Sequence, residues 1–411
     1  MSRVGIVAEF NPLHTGHKYI IDYAKNNLGA DSVVIALGNE FTQRGGIAII
    51  DRYSRAQSAI DAGADLVIGM PVLPSCASAE IFAESGVALL AACGCDKIVC
   101  GYEGISSENL LNELACVLVE EPDQFKEELH RCLKSGMSFP AARGEALSAC
   151  FPDCKNEIDY FLKEPNNILA LEYQKAIIRC APSIELVPVK RQGAGHHDMT
   201  AENGYASASY IRETIQAGRL NDIRPQLTEA SYKILKDASV NNLLLFDDDL
   251  SLPLHLELLS INSYNRFFDV TEDFSDRIKK LLPEYVSFSQ FADLLKNKSL
   301  TASRIRRCLI HILLGITEDD ANALRCTHFA PYLWVLSASK GGLSMLGSIK
   351  SSSNLPLFFS INEKAAGEAV PFLQPELKAL RIARALRIEK SRLSLPNENQ
   401  RKINLNQSLI K

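Results

Sequence analysis

The sequence lacks any hydrophobic run long enough to cross a membrane. Of its 411 residues, 46% are hydrophobic and 23% are charged, but no apolar stretch approaches the roughly 20 residues that span a bilayer. The first residues also lack the basic stretch, apolar core and cleavage site of a secretory leader. We therefore expect a globular cytoplasmic protein.

Cysteine is present, but not in the arrangement of a disulfide or zinc framework. The chain has 11 cysteines, an odd number, and most of them lie in apolar runs such as "LLAACGCDKIVCG". Buried, reduced thiols explain this distribution better than disulfides do. Cys93 and Cys95 have no second pair at zinc-finger spacing, so we predict no structural zinc and no other metal-ligand set.

Positive charge is scarce in the first part of the chain. The net charge is −5, yet residues 277–411 contain 21 Lys and Arg against 10 Asp and Glu, so they carry +11 and residues 1–276 carry −16. A basic region suits contact with a polyanion, because neutralising phosphates releases counterions. A solvated, salt-bridged helical surface explains the same charge equally well, and composition leaves both explanations open.

Short β-branched runs alternate with amphipathic stretches over roughly the first 215 residues. This alternation is typical of βαβ units, which form a parallel sheet with helices on both faces. A later strand at "SIELVPVK" and a helix that begins at "SASYIR" complete the pattern, so we predict an α/β fold. The successive strand and helix pairs are "VGIVAEF" and "KYIIDYAK", "SVVIALG" and "RYSRAQSAIDAG", "DLVIGMP" and "SAEIFAESGVALLAA", and "DKIVCG" and "ENLLNELACVLVEE".

Strand patterns become rare after Leu220, and helical periodicity dominates from there. No internal repeat or low-complexity linker marks a division, but the change of pattern predicts a domain boundary near residue 220. We expect residues 1–220 to form the α/β catalytic domain and residues 221–411 to form a mainly α-helical, basic domain.

The segment Asn11 to His17, "NPLHTGH", joins the first predicted strand to the first predicted helix. The N-terminus of a helix offers unpaired N–H groups and partial positive charge, which together bind anions such as phosphate. His14 and His17 lie on the same side of that first turn, and Gly16 lets a ligand approach the backbone. The alternative is that one histidine packs in the core and the other caps a loop.

Several motifs carry a resemblance to a known family. "FNPLHTGH" looks like the HxGH signature of the nucleotidyltransferase superfamily. Other stretches occur in the order and spacing of the bacterial tRNA(Met) cytidine acetate ligases, and the resemblance covers nearly all of the first 215 residues. These stretches are "GNEFTQRGGIAIIDRYSRAQSAIDAGADLVIGMP", "KIVCGYEG", "KEPNNILALEYQKAI", "RQGAGHHD" and "SASYIR".

The resemblance implies a Rossmann-like nucleotidyltransferase sheet and a reaction in two steps. Acetate and ATP would give acetyl-adenylate and pyrophosphate, and the acetyl group would then pass to N4 of the wobble cytidine in elongator tRNA(Met). The implied partners are ATP, acetate and that tRNA, with Mg²⁺ expected beside ATP and neither a membrane nor a protein partner inferred. On this reading residues 1–220 would bind ATP and residues 221–411 would be the tRNA-binding domain.

The resemblance also implies roles for individual residues. His14, His17 and Arg212 would act in catalysis, with His17 foremost at the α-phosphorus, and Ser207, Ser209 and Arg212 would hold the outer phosphates. The residues that match nucleotide contacts are Val7, Ala8, Glu9, Phe10, Asn11, Pro12, Leu13, His14, Thr15, Gly16, His17, Gly101, Asn166, Asn167, Arg191, Gln192, Ser207, Ser209 and Arg212.

Plain structural explanations compete at several of these positions. Gly101 could be a turn glycine after a strand. Asn166 or Asn167 could cap a helix, as could Ser207. Arg191 could be an ordinary surface arginine.

The sequence departs from the family pattern at three positions. Tyr210 stands where relatives usually carry a small hydroxyl residue, and Tyr102 replaces a common serine. Gly69 replaces a frequent glutamate before Pro71. At these positions the side-chain contacts that relatives make with the nucleotide are not expected to be the same in this chain.

Candidates for RNA contact lie mainly in the second part of the chain. Tyr332 and Trp334 could stack on a flipped cytosine, although we favour a core position for both. Arg44 and Arg52 could guide an anticodon loop toward the sheet. The basic side chains that could follow an RNA backbone are Lys296, Lys298, Arg304, Arg306 and Arg307.

Two other classes of function fit parts of the same pattern. HxGH chemistry also serves adenylyltransferases and cytidylyltransferases that act on small molecules, although these seldom need a basic helical domain of this size. A non-catalytic RNA-binding protein could also keep a nucleotide site as a relic. The presence of both His14 and His17 argues against that second class.

Overall fold

The structure is a computed structural model. It describes residues 2–104, 108–190, 206–297, 300–360, 373–397 and 404–405.

A single sheet organises the described part of the chain. Its strand order is β5-β4-β1-β2-β3-β6-β7, and β8 pairs with β6. Strands β1 to β5 are mutually parallel, whereas β6 runs antiparallel to β3. The strands are β1 Arg3–Ala8, β2 Ser32–Leu37, β3 Leu66–Gly69, β4 Lys97–Tyr102, β5 Glu185–Lys190, β6 Leu333–Ala338, β7 Leu357–Phe358 and β8 Asn404–Leu405.

Helices cover the sheet and form a second layer beyond it. The α-helices are α1 Thr15–Asn26, α2 Arg52–Asp61, α3 Val72–Ser75, α4 Ala79–Ala92, α5 Glu108–Glu120, α6 Asp123–Lys134, α7 Phe139–Cys150, α8 Lys155–Phe161, α9 Pro165–Cys180, α10 Ala208–Gln216, α11 Glu229–Val240, α12 Ser251–Ser260, α13 Glu272–Leu281, α14 Phe288–Leu294, α15 Ala302–Leu314, α16 Glu318–Arg325, α17 Lys340–Ser352 and α18 Leu373–Ser391. Short 3-10 helices are Pro152–Cys154, Leu220–Gln226, Asp247–Leu250 and Leu282–Glu284.

The central strand β2 shows why helices lie on both faces. Every residue of "SVVIAL" is buried, and successive side chains point to opposite faces of a sheet. Val34 and Ala36 join an apolar cluster with side chains of α4 and α9, while Val33 and Ile35 join another with α1 and α2. Such a doubly covered strand reads as a continuous apolar run, and the predicted α/β fold is confirmed.

The chain after residue 220 is mainly helical where it is described, but it also completes the sheet. β6 pairs with β3 and connects onward to β7 and β8. The sequence pattern does not predict β6, because "LWVLSA" is buried at all six positions and carries no alternation to mark it. The division at residue 220 into a catalytic and a tRNA-binding domain stays a prediction.

Trp334 lies in β6, and Tyr332 directly precedes that strand. Both side chains are fully buried, and they pack in the cluster formed with α1 and α2. The idea that they stack on a flipped cytosine is therefore wrong. They are core residues, although of the sheet and not of a separate helical domain.

Helix α18 is joined to the sheet region by a buried ionic network. Glu376 accepts a hydrogen bond from Arg52 over 2.8 Å, and Arg387 donates to Glu40 over 3.2 Å. The guanidinium of Arg52 also lies over the ring of Trp334, 4.6 Å from its centre. Because Arg52 is fully buried, the suggestion that it guides RNA toward the sheet is wrong.

In the part of the chain that the structure describes, no helix is both long enough and apolar enough to cross a membrane.

Candidate active site

A cavity of about 730 Å³ opens at the carboxyl ends of β1 and β4. This is the edge of a parallel sheet where the strand order places ligand sites in α/β folds. The HxGH turn forms one wall of the cavity, and the N-terminal turn of α10 lies beside that turn. The loop of residues 42–47 and the start of α15 form another wall.

His14 and His17 lie together at the N-terminus of α1. His14 is the N-cap residue, and its Nδ1 accepts from the Gly16 N–H over 3.1 Å. The His14 N–H in turn donates to His17 Nδ1 over 3.3 Å. The two rings stack with their centres 3.7 Å apart, so the predicted same-side arrangement is present.

These hydrogen bonds fix the protonation pattern of the two neutral rings. A neutral imidazole has one donor and one acceptor nitrogen, and in both residues Nδ1 is the acceptor. The proton therefore lies on Nε2 of both His14 and His17. Both side chains line the cavity, where an Nε2–H group can donate to an anionic oxygen.

The N-terminal turn of α10 supplies further polar groups. Ser207 caps the helix by accepting from the Tyr210 N–H over 3.1 Å. Arg212 donates from Nη2 to Ser209 Oγ over 3.2 Å and from Nη1 to the Asn11 carbonyl over 2.9 Å. Arg212 thus connects α10 directly to the HxGH turn.

Electrostatic surroundings act on Arg212 in two directions. Burial lowers its pKa, while Glu9 and Asp247 oppose that shift. Glu9 lines the same cavity as Arg212, and its Oε1 accepts from the Gln43 N–H over 2.7 Å. Arg212 keeps its positive charge in these surroundings, and a guanidinium that lines a cavity can donate to an anionic ligand such as a phosphate.

The loop of residues 42–47 is held by the second part of the chain. Ile47 N–H donates to Asp247 Oδ1 over 3.0 Å, and Arg306 on α15 forms an ion pair with Asp247. Arg306 also donates from Nε to the Gly45 carbonyl over 3.2 Å. Arg44 of this loop lines the cavity, and burial lowers its pKa, an effect that Glu9 opposes.

The far wall of the cavity is largely apolar. Ile168, Leu169 and Tyr173 of α9 line it together with Ala79 and Phe82 of α4. Gly101 at the end of β4 and Asn166 at the start of α9 lie on the same wall. An apolar wall with a few polar groups is the usual lining of a small-molecule site.

Most of the residues predicted for the nucleotide lie together on the cavity. Pro12 and Leu13 of the turn are buried, and Asn167 is fully buried. Together with Thr15, these are the described candidates that do not line the cavity. Arg191 and Gln192 lie outside the described residues. The candidates that line the cavity are Val7, Ala8, Glu9, Phe10, Asn11, His14, Gly16, His17, Gly101, Asn166, Ser207, Ser209 and Arg212.

Other lining residues were not expected. The polar ones come mostly from the loop of residues 42–47 and from positions far along the chain. The clearest sequence signal among them is the basic run "SRIRR", for which we predict RNA contact. The main polar additions are Thr42, Gln43, Asp247, Ser303 and Arg306.

The basic residues proposed to follow an RNA backbone make intramolecular contacts. Arg304 pairs with Asp269 over 2.8 Å, and the buried Arg307 donates to the Gln43 carbonyl over 3.3 Å. Lys296 pairs with Asp293 on the surface over 2.7 Å. Lys298 lies outside the described residues. Arg306 and Arg307 therefore support the cavity wall and are not an open RNA-binding face.

The departures from the family pattern have local explanations. A Cβ atom at Gly69 would lie 3.1 Å from Leu336 of β6, so little room exists for a longer side chain. Tyr102 is buried in an apolar cluster, and Tyr210 packs against another. Neither tyrosine lines the cavity.

Among the described residues, no group of three or more His, Cys, Asp and Glu side chains is arranged to hold a metal ion. The expected lack of a structural zinc stays a prediction, because His196 and His197 lie outside those residues.

Comparisons with known proteins agree with this geometry. A family model described as HIGH Nucleotidyl Transferase matches residues 1–399. A protein of Halothermothrix orenii named tRNA(Met) cytidine acetate ligase is 33% identical over 401 residues, which is 95% of this chain and 92% of that protein. A Clostridium kluyveri protein of the same name is 33% identical over 372 residues, covering 89% and 91% of the two chains.

Solved structures extend the likeness to the whole fold. The apo crystal structure of Thermotoga maritima TmcAL superposes with a TM-score of 0.89 at 26% identity and covers 97% of both chains. The same protein bound with alpha-thio ATP superposes with a TM-score of 0.86 at 25% identity, again over 97% of both chains. The chain therefore belongs to the HIGH nucleotidyltransferase family and, within it, to the tRNA(Met) cytidine acetate ligases.

Proposed function

We propose that this protein activates acetate with ATP and transfers the acetyl group to N4 of the wobble cytidine in elongator tRNA(Met). The observation that carries the proposal is the stacked pair of His14 and His17 at a helix N-terminus, which lines one cavity with Arg212. The names of the relatives add the acceptor and the acyl donor.

In the first step, a carboxylate oxygen of acetate attacks the α-phosphorus of ATP, and the bond to pyrophosphate breaks. Negative charge grows on the phosphoryl oxygens and on the departing pyrophosphate, so preorganised donors lower the barrier. His14 and His17 would donate to oxygens at the α-phosphorus. Arg212 and the N-terminal turn of α10 would hold the outer phosphates.

Mg²⁺ is expected to arrive with the nucleotide. Among the described residues no protein cage for it exists, and Mg²⁺ commonly uses phosphate oxygens with one or two carboxylates. Glu9 and Asp247 are the carboxylates that line the cavity in the described chain. When bound, the ion would neutralise part of the triphosphate charge.

In the second step, the cytidine N4 attacks the acetyl carbonyl, the bond to AMP breaks, and N4 loses a proton. AMP is a good leaving group, so this route needs no covalent acyl-enzyme. Cys100 is the cysteine that lines the cavity in the described residues, and burial raises its pKa to about 12. A thiol that stays protonated near neutral pH is a poor nucleophile, which supports direct transfer.

The test is mass spectrometry of nucleosides from purified elongator tRNA(Met) incubated with the protein, ATP and isotopically labelled acetate. We expect labelled N4-acetylcytidine, and we expect its loss in the His17→Ala variant. His130→Ala, which changes an exposed histidine on α6, is the control. Wild-type acetylation by His17→Ala would contradict the proposal, as would label that appears only in a small-molecule product.

A further inference from the structure

One hydrogen bond determines which end of the Asn166 amide faces the cavity. Asn166 lies in the first turn of α9, and its Nδ2 donates to Glu103 Oε1 over 2.6 Å. A carboxylate can only accept hydrogen bonds, so it must meet the NH₂ end of the amide. Asn166 lines the cavity, and with its NH₂ end directed to Glu103 the amide has Oδ1 as the acceptor that it can offer to a ligand.

Glu103 is itself anchored by the next residue of α9. Its backbone N–H donates to Asn167 Oδ1 over 2.9 Å, and the Asn167 side chain is fully buried. The two asparagines thus hold Glu103 by its main chain and by its side chain. This arrangement gives Asn167 a role behind the cavity, although it does not line the cavity itself.

The surroundings of Asn166 suit a flat heteroaromatic ring. Ile168 and Leu169 follow it on α9, and Phe82 faces the same cavity from α4. An acceptor on such a wall pairs with an amino group at the edge of a ring. Adenine carries a donor amine at position 6, whereas guanine and hypoxanthine carry an acceptor oxygen there.

We propose that Glu103 is a positioning residue that turns the Asn166 amide oxygen toward the cavity and so selects adenine over bases with a carbonyl at position 6. The inference rests on the proposed use of ATP and adds to it the origin of the base preference. Glu103 touches no reacting atom in this arrangement and acts only through Asn166.

The experiment compares ATP with inosine triphosphate, which differs at that edge of the base. The measurements are kcat/KM for acetate-dependent ATP–pyrophosphate exchange and Kd by calorimetry. For the wild type we expect ATP to be preferred by about tenfold or more. Inosine triphosphate cannot donate a hydrogen bond to Asn166 Oδ1, and its binding would leave that acceptor buried without a partner. In Glu103→Leu the Asn166 amide can turn, and the preference should fall to about twofold.

Matched variants separate positioning from general damage. Glu103→Gln keeps an acceptor oxygen for Asn166 and should keep the preference. Asn166→Ala should lose it to the same extent as Glu103→Leu, and the double variant should lose no more. Thermal unfolding of each variant checks that all of them fold.

The outcomes distinguish this inference from the proposed function. A wild-type ratio near one, or an unchanged ratio in folded Glu103→Leu, would overturn the role of Glu103 while ATP use stands. Glu103→Leu could instead change the preference for ATP over 2′-deoxyATP and leave the preference for ATP over inosine triphosphate unchanged. That result would show that Asn166 contacts the ribose, and it would also overturn the role of Glu103 in base selection. Absence of ATP binding by the wild type would instead overturn the proposed function.

Discussion

His14 and His17 are donors through Nε2 because the backbone of their own turn occupies both Nδ1 atoms. Two histidines separated by two residues at a helix N-terminus can both make such backbone contacts. The first histidine caps the helix, and the second accepts from the backbone one turn before it. The chemistry of the site is therefore encoded locally, within seven residues of sequence.

Substitutions of His17 by the two side-chain amides test which nitrogen acts. The amide nitrogen of Gln can reach the place of Nε2, whereas that of Asn reaches only the place of Nδ1. We predict that His17→Ala and His17→Asn lower kcat by about 10²- to 10³-fold, the usual effect of losing one such donor. His17→Gln should retain clearly more activity in acetate-dependent ATP–pyrophosphate exchange. Equal losses in Gln and Asn variants would be inconsistent with an Nε2 donor.

Site residues differ in how far the sequence reveals them. His14, His17, Ser207 and Arg212 belong to short motifs beside predicted helix starts, so their positions could be predicted. Arg306 meets Gly45 across 261 positions of sequence, and such a contact leaves no local pattern. The basic run around Arg306 therefore predicts RNA contact, whereas the residue supports the cavity wall.

At the scale of elements, the loop of residues 42–47 connects the cavity to the start of α15. Gly45 has φ of +75°, and a Cβ there would lie 2.5 Å from the Arg307 nitrogen. Only glycine allows both the backbone conformation and the close approach. The loop therefore depends on α15 for its position, and Arg44 depends on the loop.

Replacing Gly45 with alanine should displace this loop. We predict that Gly45→Ala lowers the free energy of unfolding by about 2–4 kcal/mol, from left-handed strain and the backbone clash together, and raises KM for ATP several-fold. Gly29→Ala is the control, because Gly29 has φ of +63° with no atom near a new Cβ. It should cost only about 1 kcal/mol and leave KM unchanged. Similar effects of the two substitutions would exclude the clash with α15.

The elements themselves were predictable to different degrees. Strands β1 to β5 each precede an amphipathic helix, so the alternation of patterns reveals them. β6 joins the first five strands differently: it pairs antiparallel with β3 and comes from residues far along the chain. Its fully buried run cannot be distinguished from a buried helix segment by periodicity.

At the scale of the whole molecule, buried charges join the last described helix to the sheet. Glu376 of α18 accepts from Arg52 and also from the Val72 N–H over 2.8 Å each. The groups are buried, so each charge is compensated only by its neighbours. Removing one member leaves another charge unpaired.

We predict that Glu376→Ala lowers the free energy of unfolding by about 3–5 kcal/mol, the usual effect of breaking a buried ion pair. Glu376→Gln keeps hydrogen-bond capacity and should cost less. Glu389→Ala on the same helix removes an exposed partner of Arg392 and should have almost no effect. A thermal unfolding series compares the variants, and equal midpoints for Glu376→Ala and Glu389→Ala would contradict the role of the network.

The same network predicts a dependence of stability on pH. Burial alone would raise the pKa of Glu40, but Arg387, Arg52 and Arg55 outweigh it and hold the pKa below its ordinary value of 4.5. Since the folded state favours the carboxylate, its stabilisation is complete above that ordinary value and is lost as the pH falls through the lowered pKa. The stability difference between wild type and Glu40→Gln should therefore shrink below about pH 4.5. Glu127→Gln, at an exposed position, controls for loss of a carboxylate, and a constant difference for Glu40→Gln would refute the linkage.

The central claim is that acetate attacks the α-phosphorus of ATP in the cavity beside His14 and His17. Acetate labelled with oxygen-18 in both carboxylate positions tests it directly, because the attacking oxygen stays with the phosphorus when the acetyl group leaves. After one round of tRNA acetylation, we predict one heavy oxygen in AMP and none in pyrophosphate. Acetylcytidine formed together with unlabelled AMP, or label found in pyrophosphate or orthophosphate, would contradict the mechanism.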